Sequence, residues 1–377
     1  MRTSQRKFLI LLGAFIVVGA LLYSSRGAVL AQGFNWSDFR KAIRGARWDL
    51  LLLSFVAIYF CYWFRAWRWT RLARHVGYAS TASVFQATVM GFTAIFLLGR
   101  AGEPIRPLLI ARRDRLPAAS MFGIYVVERV FDVAVTVGFT ALSLVFLPDL
   151  LHARQKAAFG GASSASYLPF LQKAGFFFLL ALLLGVLLLV YLRAADGGRL
   201  AHVVRGWRGA MGWRGRAAGI FAGFLEGLQA LRTWGDLGMG VLLTAAHWFL
   251  VLLIYYWVPL SFGNSLGWFD LRASVLTLAC TLLGSAVQLP AVGGGSQAGS
   301  FGALTFFLGV APEPAAAMSI VLWLITFCGC APLGIPLLVR EGMSLGELRR
   351  IARRSAGEAE PRPEAATGKT GEWKRKT

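Results

Sequence analysis

Apolar residues in this chain of 377 residues form long uninterrupted runs and do not alternate with polar residues at the period of a surface helix or strand. Six runs, with their flanks, are long enough to cross about 30 Å of hydrocarbon as helices. They are residues 8–23, 50–64, 121–146, 170–192, 237–260 and 314–338. The pattern therefore predicts an all-α fold, a polytopic membrane helix bundle with about six full spans.

Two further apolar stretches are each interrupted by a glycine-rich segment, at residues 99–107 in the first half and 289–300 in the second. Such breaks leave backbone N–H and C=O groups that hydrocarbon cannot satisfy, so they persist only where protein or a wet cavity surrounds them. We interpret each break as the tip of a re-entrant helical hairpin, and a matched pair is typical of a translocation site. The apolar arms are residues 83–98 and 108–111 in the first hairpin and 275–288 and 301–310 in the second.

The composition agrees with a membrane protein, because 56% of the residues are hydrophobic, 15% are charged and the mean hydropathy is +0.60. In a soluble chain the formal charge of +21 would suggest nucleic acid as a partner. Here most basic residues lie in short connections between apolar runs, which is the pattern of the cytoplasmic side of a membrane protein. The expected location is the bacterial inner membrane. Nucleic acid is therefore not expected as a partner.

The distribution of arginines also predicts the topology. Clusters precede and follow the first hairpin, so both of its ends are expected at the cytoplasmic face, and the arginines from residue 340 onward place the carboxyl terminus there too. The second hairpin must then enter from the outer face. Both termini are predicted to be cytoplasmic, and the two halves become inverted repeats.

The predicted organisation has three parts. Residues 1–150 form a first membrane repeat, residues 151–340 form a second, and residues 341–377 form a charged cytoplasmic tail that is largely disordered. The basic and aromatic segment between Arg193 and Asp236 favours an anionic lipid surface, and residues 40–47 suggest an interfacial helix near the outer headgroups. A cleavable signal peptide is the alternative interpretation of residues 8–23.

Few residues suggest metal, redox or nucleotide chemistry. All four cysteines lie inside apolar runs, without the spacing of a disulfide framework or a zinc site. The sequence has no phosphate-cradling P-loop, so ATP coupling within this chain is not expected. No metal and no cofactor are predicted. His247, alone within its span, is interpreted as a cross-helix hydrogen-bonding residue in preference to a proton relay.

Ionisable residues are concentrated at the first hairpin tip and in the span that follows it. Charges near the bilayer centre cost about 2.5 to 3.5 kcal/mol each, so partners from other elements are implied. Three arginines balance three carboxylates. The cluster is therefore either a polar lock between hairpin and helix or a site where an anionic headgroup displaces the carboxylates. Its members are Arg100, Glu103, Arg106, Glu128, Arg129 and Asp132.

The second tip carries no charge. Its consecutive glycines, among them Gly294 and Gly295, allow a tight reversal of the chain, and Gln297 offers uncharged hydrogen bonds. Close helix packing through small residues is the alternative interpretation of these glycines. Charged chemistry is therefore expected at the first tip and its partner helix, while the second tip shapes the path.

At these residues the chain resembles the transmembrane-region family of the lysylphosphatidylglycerol synthases, whose members are also described as flippase-like. The resemblance covers most of the chain and implies a membrane domain that moves lipids or lipid-linked groups between leaflets. No aminoacyl-transferase domain accompanies it, so lysinylation of a lipid by this chain is not expected. Gln297 stands where many members have a glutamate. The resemblance rests on Gly102-Glu103 followed by Arg106, on Val127-Glu128-Arg129 with Asp132, and on Leu289-Pro290 with the glycine run.

The leading hypothesis is a lipid translocator in which the two tips meet near the midplane and an anionic phospholipid or lipid-linked headgroup passes between them. Arg100, Arg106 and Arg129 would hold the phosphate. Two other classes are alternatives: an intramembrane lipid-modifying enzyme with Glu128 or Asp132 as base, and a non-transporting scaffold of an envelope enzyme. Membrane lipids are the expected partners, and a homo-oligomer or an envelope enzyme is a further one.

Overall fold

The computed structural model describes residues 34–158, 168–194, 233–263, 269–291, 293–344, 346–348 and 350–351. The predicted first span, most of the basic segment before Asp236 and the tail beyond residue 351 lie outside these residues. The expectations for those three segments therefore stay predictions.

Helices make up nearly all of the described chain, as the all-α prediction required. The first half contains α1 (Trp36–Arg44), α2 (Trp48–Ala73), α3 (Thr81–Leu98), a 3-10 turn (Gly99–Gly102), α4 (Ile105–Arg113) and α5 (Ala118–Ala158). The second half contains α6 (Leu168–Ala194), α7 (Trp234–Ser261), α8 (Leu271–Gly284), the short strands β1 (Gln288–Leu289) and β2 (Gly293–Gly294), α9 (Gly295–Gly302), α10 (Pro312–Trp323) and α11 (Ala331–Arg340). The π-helical turns Ala303–Phe307 and Leu324–Cys328 follow α9 and α10.

Five segments of the described chain are long and apolar enough to cross a membrane. One of the five, Thr81–Gly102, is not among the spans predicted from the sequence, because the apolar pattern assigned it to a hairpin arm. It reaches 22 residues because the 3-10 turn extends α3. In α6 the described apolar stretch, Gln172–Gly185, is shorter than a full span. The other four match predicted spans: Trp48–Ala73, Ser120–Phe146, Trp234–Ser261 and Pro312–Arg340.

Large apolar side chains point outward from these helices. Phe177 in α6 is 75% exposed and Leu52 in α2 is 63% exposed. In water, apolar surface on this scale would drive association. The interior instead contains charged residues, among them Arg68 at 1% and Glu128 at 0% exposure. Apolar residues outside and charged residues inside are the arrangement of a multi-pass membrane protein.

Helices α2 and α7 pack against each other as an antiparallel pair. At one end of the pair the Arg47 N–H donates to the Ser261 carbonyl at 2.7 Å. At the other end Arg74, just after α2, forms an ion pair with Asp236 in the first turn of α7. Both ends of the pair are thereby fixed, which positions the polar side chains that face its centre.

The first hairpin consists of α3, the 3-10 turn and α4. Gly102 lies so close to the α3 backbone that a Cβ would collide with it, which is why a glycine is required there. At the open end the Ser83 hydroxyl donates to Asp114, just after α4, at 3.2 Å. The start of α3 and the end of α4 therefore lie at the same end of the bundle. The returning helix begins at Ile105, earlier than the sequence pattern predicted.

The second hairpin consists of α8, the two short strands and α9. The sequence predicted a loop through residue 300, which is wrong because α9 already begins at Gly295. Glycine is a poor helix former, yet Gly295 and Gly299 press against the α8 backbone, where a Cβ would collide with carbonyl oxygens. Close packing thus explains these two glycines. The reversal itself uses Gly293 and Gly294, whose φ angles are +86° and +104°.

The tips of the two hairpins touch. The Ala291 N–H at the second tip donates to the Phe96 carbonyl near the end of α3 at 2.7 Å. The Phe96 ring also lies 6.3 Å from the ring of Trp323 at the end of α10. The two glycine-rich interruptions, almost 200 residues apart in sequence, therefore share one place in the fold.

Each hairpin also packs on a long segment of the other half. Helix α3 packs on α11, and the Thr93 hydroxyl donates to the Cys330 carbonyl at 3.3 Å. Helix α8 packs on α5, and the Ser143 hydroxyl donates to the Val275 carbonyl at 3.2 Å. The two halves are thus interlocked through their hairpins.

Candidate functional site

Glu128, in the membrane-spanning part of α5, is the centre of a buried ion-pair network. Its side chain is completely buried. Oε1 accepts hydrogen bonds from Arg65 and Arg68, each at 2.8 Å, and from Arg106 at 3.3 Å. Oε2 accepts from Arg106 and from the Trp69 indole, the latter at 2.8 Å. One carboxylate therefore joins helices α2, α4 and α5, and none of its lone pairs is left without a donor.

Asp132 lies one helical turn beyond Glu128 and shares the same arginine. Arg65 Nη1 is 3.2 Å from Asp132 Oδ2, and the Trp248 indole of α7 donates to Oδ1 at 3.3 Å. Arg129 Nη1 reaches Asp132 only at 3.9 Å. The two carboxylates, four residues apart on α5, therefore face the same way, because one guanidinium contacts both.

Helix α7 enters the network through His247 and Thr244. Arg65 Nε donates to His247 Nε2 at 3.0 Å, and Arg68 donates to the Thr244 hydroxyl at 2.5 Å. Because arginine has no acceptor, His247 Nε2 carries no proton and the ring is neutral, with its proton on Nδ1. The cross-helix hydrogen bond expected for His247 is confirmed.

Aromatic rings lie beside the guanidinium groups. The Arg106 Cζ atom is 5.5 Å from the Phe92 ring centroid, and that of Arg65 is 5.3 Å from the same ring. Arg129 Cζ lies 4.8 Å from the Tyr125 ring centroid. The negative faces of these rings favour cations, and they do so more strongly where water is excluded.

Positive charge is in excess in this network. The sequence predicted three arginines against three carboxylates, which is wrong because Arg65 and Arg68 join the ion pairs while Arg100 and Glu103 do not. A buried cation without a counter-ion is costly, so the excess of two positive charges favours the binding of an anion. Within the part of the chain that the structure describes, the members are Arg65, Arg68, Arg106 and Arg129 against Glu128 and Asp132.

One edge of the network is accessible. Arg129 has 37% of its side chain exposed, whereas the other three arginine side chains are 9% exposed or less. Its Nε is buried and has no hydrogen-bond partner among the described residues. The Tyr125 hydroxyl, on the ring beneath Arg129, donates to Glu103 Oε2 at 2.5 Å. Arg129 is thus the most exposed member of the network, and Tyr125 and Glu103 lie beside it.

Arg100 lies apart from the network. It is exposed in the 3-10 turn of the first tip and takes part in no ion pair within the described ranges. The structure therefore brings Arg106, Glu128, Arg129 and Asp132 together and places Glu103 at their edge. Arg100 stays outside the ion pairs, although its carbonyl accepts a hydrogen bond from the Glu103 N–H at 3.2 Å.

Sequence reasoning missed Arg65 and Arg68. It assigned both residues to a cytoplasmic loop after a span ending at residue 64, but α2 continues to Ala73. One signal was present in the sequence, because Arg65, Arg68 and Trp69 follow the apolar run at spacings of three and four residues, which places them on one helical face.

The second tip is built from uncharged groups. The Gly294 N–H donates to Gln297 Oε1 at 2.5 Å, which ties the reversal to the first turn of α9. Gly295 packs against the α8 backbone. Ser296 is 1% exposed and its hydroxyl has no partner among the described residues; the same is true of the buried Trp323 Nε1.

The fold and the buried charge network define the class of the protein, a multi-pass integral membrane protein with its charged residues in the interior. Within this class the chain belongs to the family described as the lysylphosphatidylglycerol synthase TM region, whose model matches residues 10–334. The resemblance seen in the sequence is thus confirmed. No curated protein and no solved structure matches the chain.

Proposed function

We propose that this protein is a lipid translocator that moves an anionic phospholipid or lipid-linked headgroup between the leaflets of the bacterial inner membrane. The observation that carries the proposal is the excess of two positive charges in the buried network. A phosphate at this network would restore neutrality and accept charge-assisted hydrogen bonds from guanidinium groups. Membership of a family named for a lipid-modifying synthase agrees with a lipid as the ligand.

Arg129 is the proposed contact for the headgroup phosphate. It is the most exposed arginine of the network, and its ion pair with Asp132 is the longest, at 3.9 Å. The deeper arginines are held by Glu128 and would act on the phosphate through their charge. The polar lock and the headgroup site that the sequence left as alternatives are then two parts of one cluster: a locked interior around Glu128 and an accessible edge at Arg129.

The proposal includes an inverted repeat with hairpins that re-enter from opposite faces. Three features support it: α2 and α7 are antiparallel, each hairpin packs on a long segment of the other half, and the tips touch. In such an arrangement a rocking motion of the halves alternates access to a site near the tips.

An intramembrane enzyme with Glu128 as general base fits this geometry less well. A base needs an oxygen that can reach the proton it removes. Both Glu128 oxygens accept from arginines, and Oε2 also accepts from Trp69. Asp132 is similarly engaged by Arg65 and Trp248.

Reconstitution into liposomes tests the proposal. Full-length protein is reconstituted with phosphatidylglycerol that carries a fluorophore on an acyl chain, and dithionite added outside bleaches the label that reaches the outer leaflet. Wild-type protein is expected to expose the inner-leaflet label. Arg129→Gln should slow this exposure about tenfold, because a hydrogen bond to a charged group contributes about 1.5–3 kcal/mol.

Arg112→Gln is the matched control, since Arg112 is an exposed arginine on α4 that takes part in no ion pair within the described chain. It should keep the wild-type rate. Equal exposure of the label in protein-containing and protein-free liposomes would refute the translocator for this lipid class.

A further inference from the structure

The start of α9 contains buried hydrogen-bond donors that the described protein does not use. The Ser296 side chain is almost fully buried, at 1% exposure, and its hydroxyl has no partner among the described residues. Trp323 Nε1, from α10, is also buried and unpartnered there. Buried polar groups in native proteins are nearly always hydrogen-bonded, so two such donors close to one helix terminus call for a ligand.

Trp323 Nε1 lies directly at the second tip. A Cβ built on Gly293 would be 2.5 Å from Trp323 Nε1 and 2.5 Å from Gln297 Oε1. The orientation of the Gln297 amide follows from its contact, because only an oxygen can accept from the Gly294 N–H. Gln297 Nε2 therefore points away from the Gly294 N–H and is a further donor. In the first turn of α9 the Gly295 N–H already donates to the Val287 carbonyl at 3.0 Å, and the residues that follow add backbone N–H groups.

We propose that the second tip is a subsite for the uncharged, hydroxyl-bearing part of the headgroup, such as a glycerol or sugar hydroxyl. Ser296, Gln297 and Trp323 offer donors without charge, which suit a neutral oxygen acceptor. A phosphate at the same place would be desolvated beside side chains that carry no counter-charge. This inference rests on the proposed function, since it assigns a second part of the same ligand.

Aromatic rings on α3 connect this subsite to the arginine network. Phe96 lies 6.3 Å from Trp323, and Phe92, one turn earlier, lies 5.3 Å from Arg65 and 5.5 Å from Arg106. Residues four apart on a helix share one face, so Phe92 and Phe96 lie on the same side of α3, between the network and the second tip. The proposal places the headgroup phosphate at the charged end of this side and the headgroup hydroxyls toward the uncharged end.

Lipid binding to the full-length protein in detergent, measured by native mass spectrometry, tests this subsite. The probes are phosphatidylglycerol and phosphatidylethanol with identical acyl chains, which are both monoanionic phosphodiesters and differ in the headgroup hydroxyls. Wild type should prefer phosphatidylglycerol about tenfold, as expected for about two neutral hydrogen bonds. Ser296→Ala and Trp323→Phe should each reduce this preference about threefold and leave phosphatidylethanol binding unchanged.

Ser300→Ala is the matched control. Ser300 is equally buried and lies one turn later in α9, but its hydroxyl donates to the Ser296 and Gln297 carbonyls. The control should keep the lipid preference. Ser296→Ala should leave the melting temperature unchanged or raise it, because it removes an unpartnered buried hydroxyl. A marked fall in the melting temperature would mean that the hydroxyl has a structural partner and would overturn the proposal.

The remaining outcomes separate this subsite from the translocator. Equal binding of the two lipids by wild type, or a preference that survives both substitutions, overturns the subsite. A decrease in the binding of both lipids in Ser296→Ala and Trp323→Phe also overturns it, because the tip would then bind the phosphate. Arg129→Gln should weaken the binding of both lipids equally. A preference that depends on Ser296 in a protein that exchanges no lipid would refute the translocator and support the subsite.

Discussion

Replacing Glu128 by glutamine removes the charge that three arginines share and keeps the shape of the side chain. Five described hydrogen bonds end on its two oxygens, and an amide has only one oxygen to accept them. The charge excess of the network would rise from two to three at a completely buried position. Removing one partner of a buried ion pair costs about 3–5 kcal/mol, so we expect a loss of about 4 kcal/mol in the free energy of unfolding.

Unfolding in mixed micelles of dodecylmaltoside and sodium dodecyl sulfate, followed by tryptophan fluorescence, measures this loss. Glu103→Gln is the control substitution. Glu103 is only partly buried and accepts a hydrogen bond from the Tyr125 hydroxyl, which an amide oxygen can also accept. Its cost should stay below about 1 kcal/mol.

A double-mutant cycle with Arg106→Gln tests whether charge is the cause. The charge excess is three in Glu128→Gln, one in Arg106→Gln and two, as in wild type, when the substitutions are combined. The double variant should therefore be more stable than Glu128→Gln alone, with a coupling energy of about 1–3 kcal/mol. An additive cycle, or a Glu128→Gln protein as stable as Glu103→Gln, would refute the reasoning.

Two further predictions concern packing and topology. Gly299→Ala should destabilise the protein by about 1–3 kcal/mol, because the new methyl group meets the Cys280 carbonyl. In the same unfolding assay Gly238→Ala should stabilise the protein by about 0.5–1 kcal/mol, because Gly238 lies in a helix with open space around it. In a cysteine-free background, Tyr78→Cys and Arg112→Cys should react with an impermeant maleimide from one side of the membrane. Reaction from opposite sides would contradict the re-entrant first hairpin.

The sequence by itself determined the class of the fold. The length and polarity of each apolar run are local properties, and hydrocarbon admits few structures other than helices, so helical spans followed from the sequence alone. The candidate site could be predicted in part for a similar reason. A charge such as Glu128 or Asp132 inside a span is costly wherever its partner lies, so the sequence marks it as needing one.

Only the tertiary structure decided which residues meet. Arg65 lies 63 residues from Glu128 and 182 residues from His247 in sequence, yet it contacts both. Such contacts depend on the rotation and depth of each helix, which are set by packing along its whole length and not by local pattern. The same cause explains α9, where close contact with α8 overrides the poor helix propensity of Gly295 and Gly299. The sequence therefore identified most of the charged residues that need partners, and packing between distant helices determined those partners and the charge excess that follows from them.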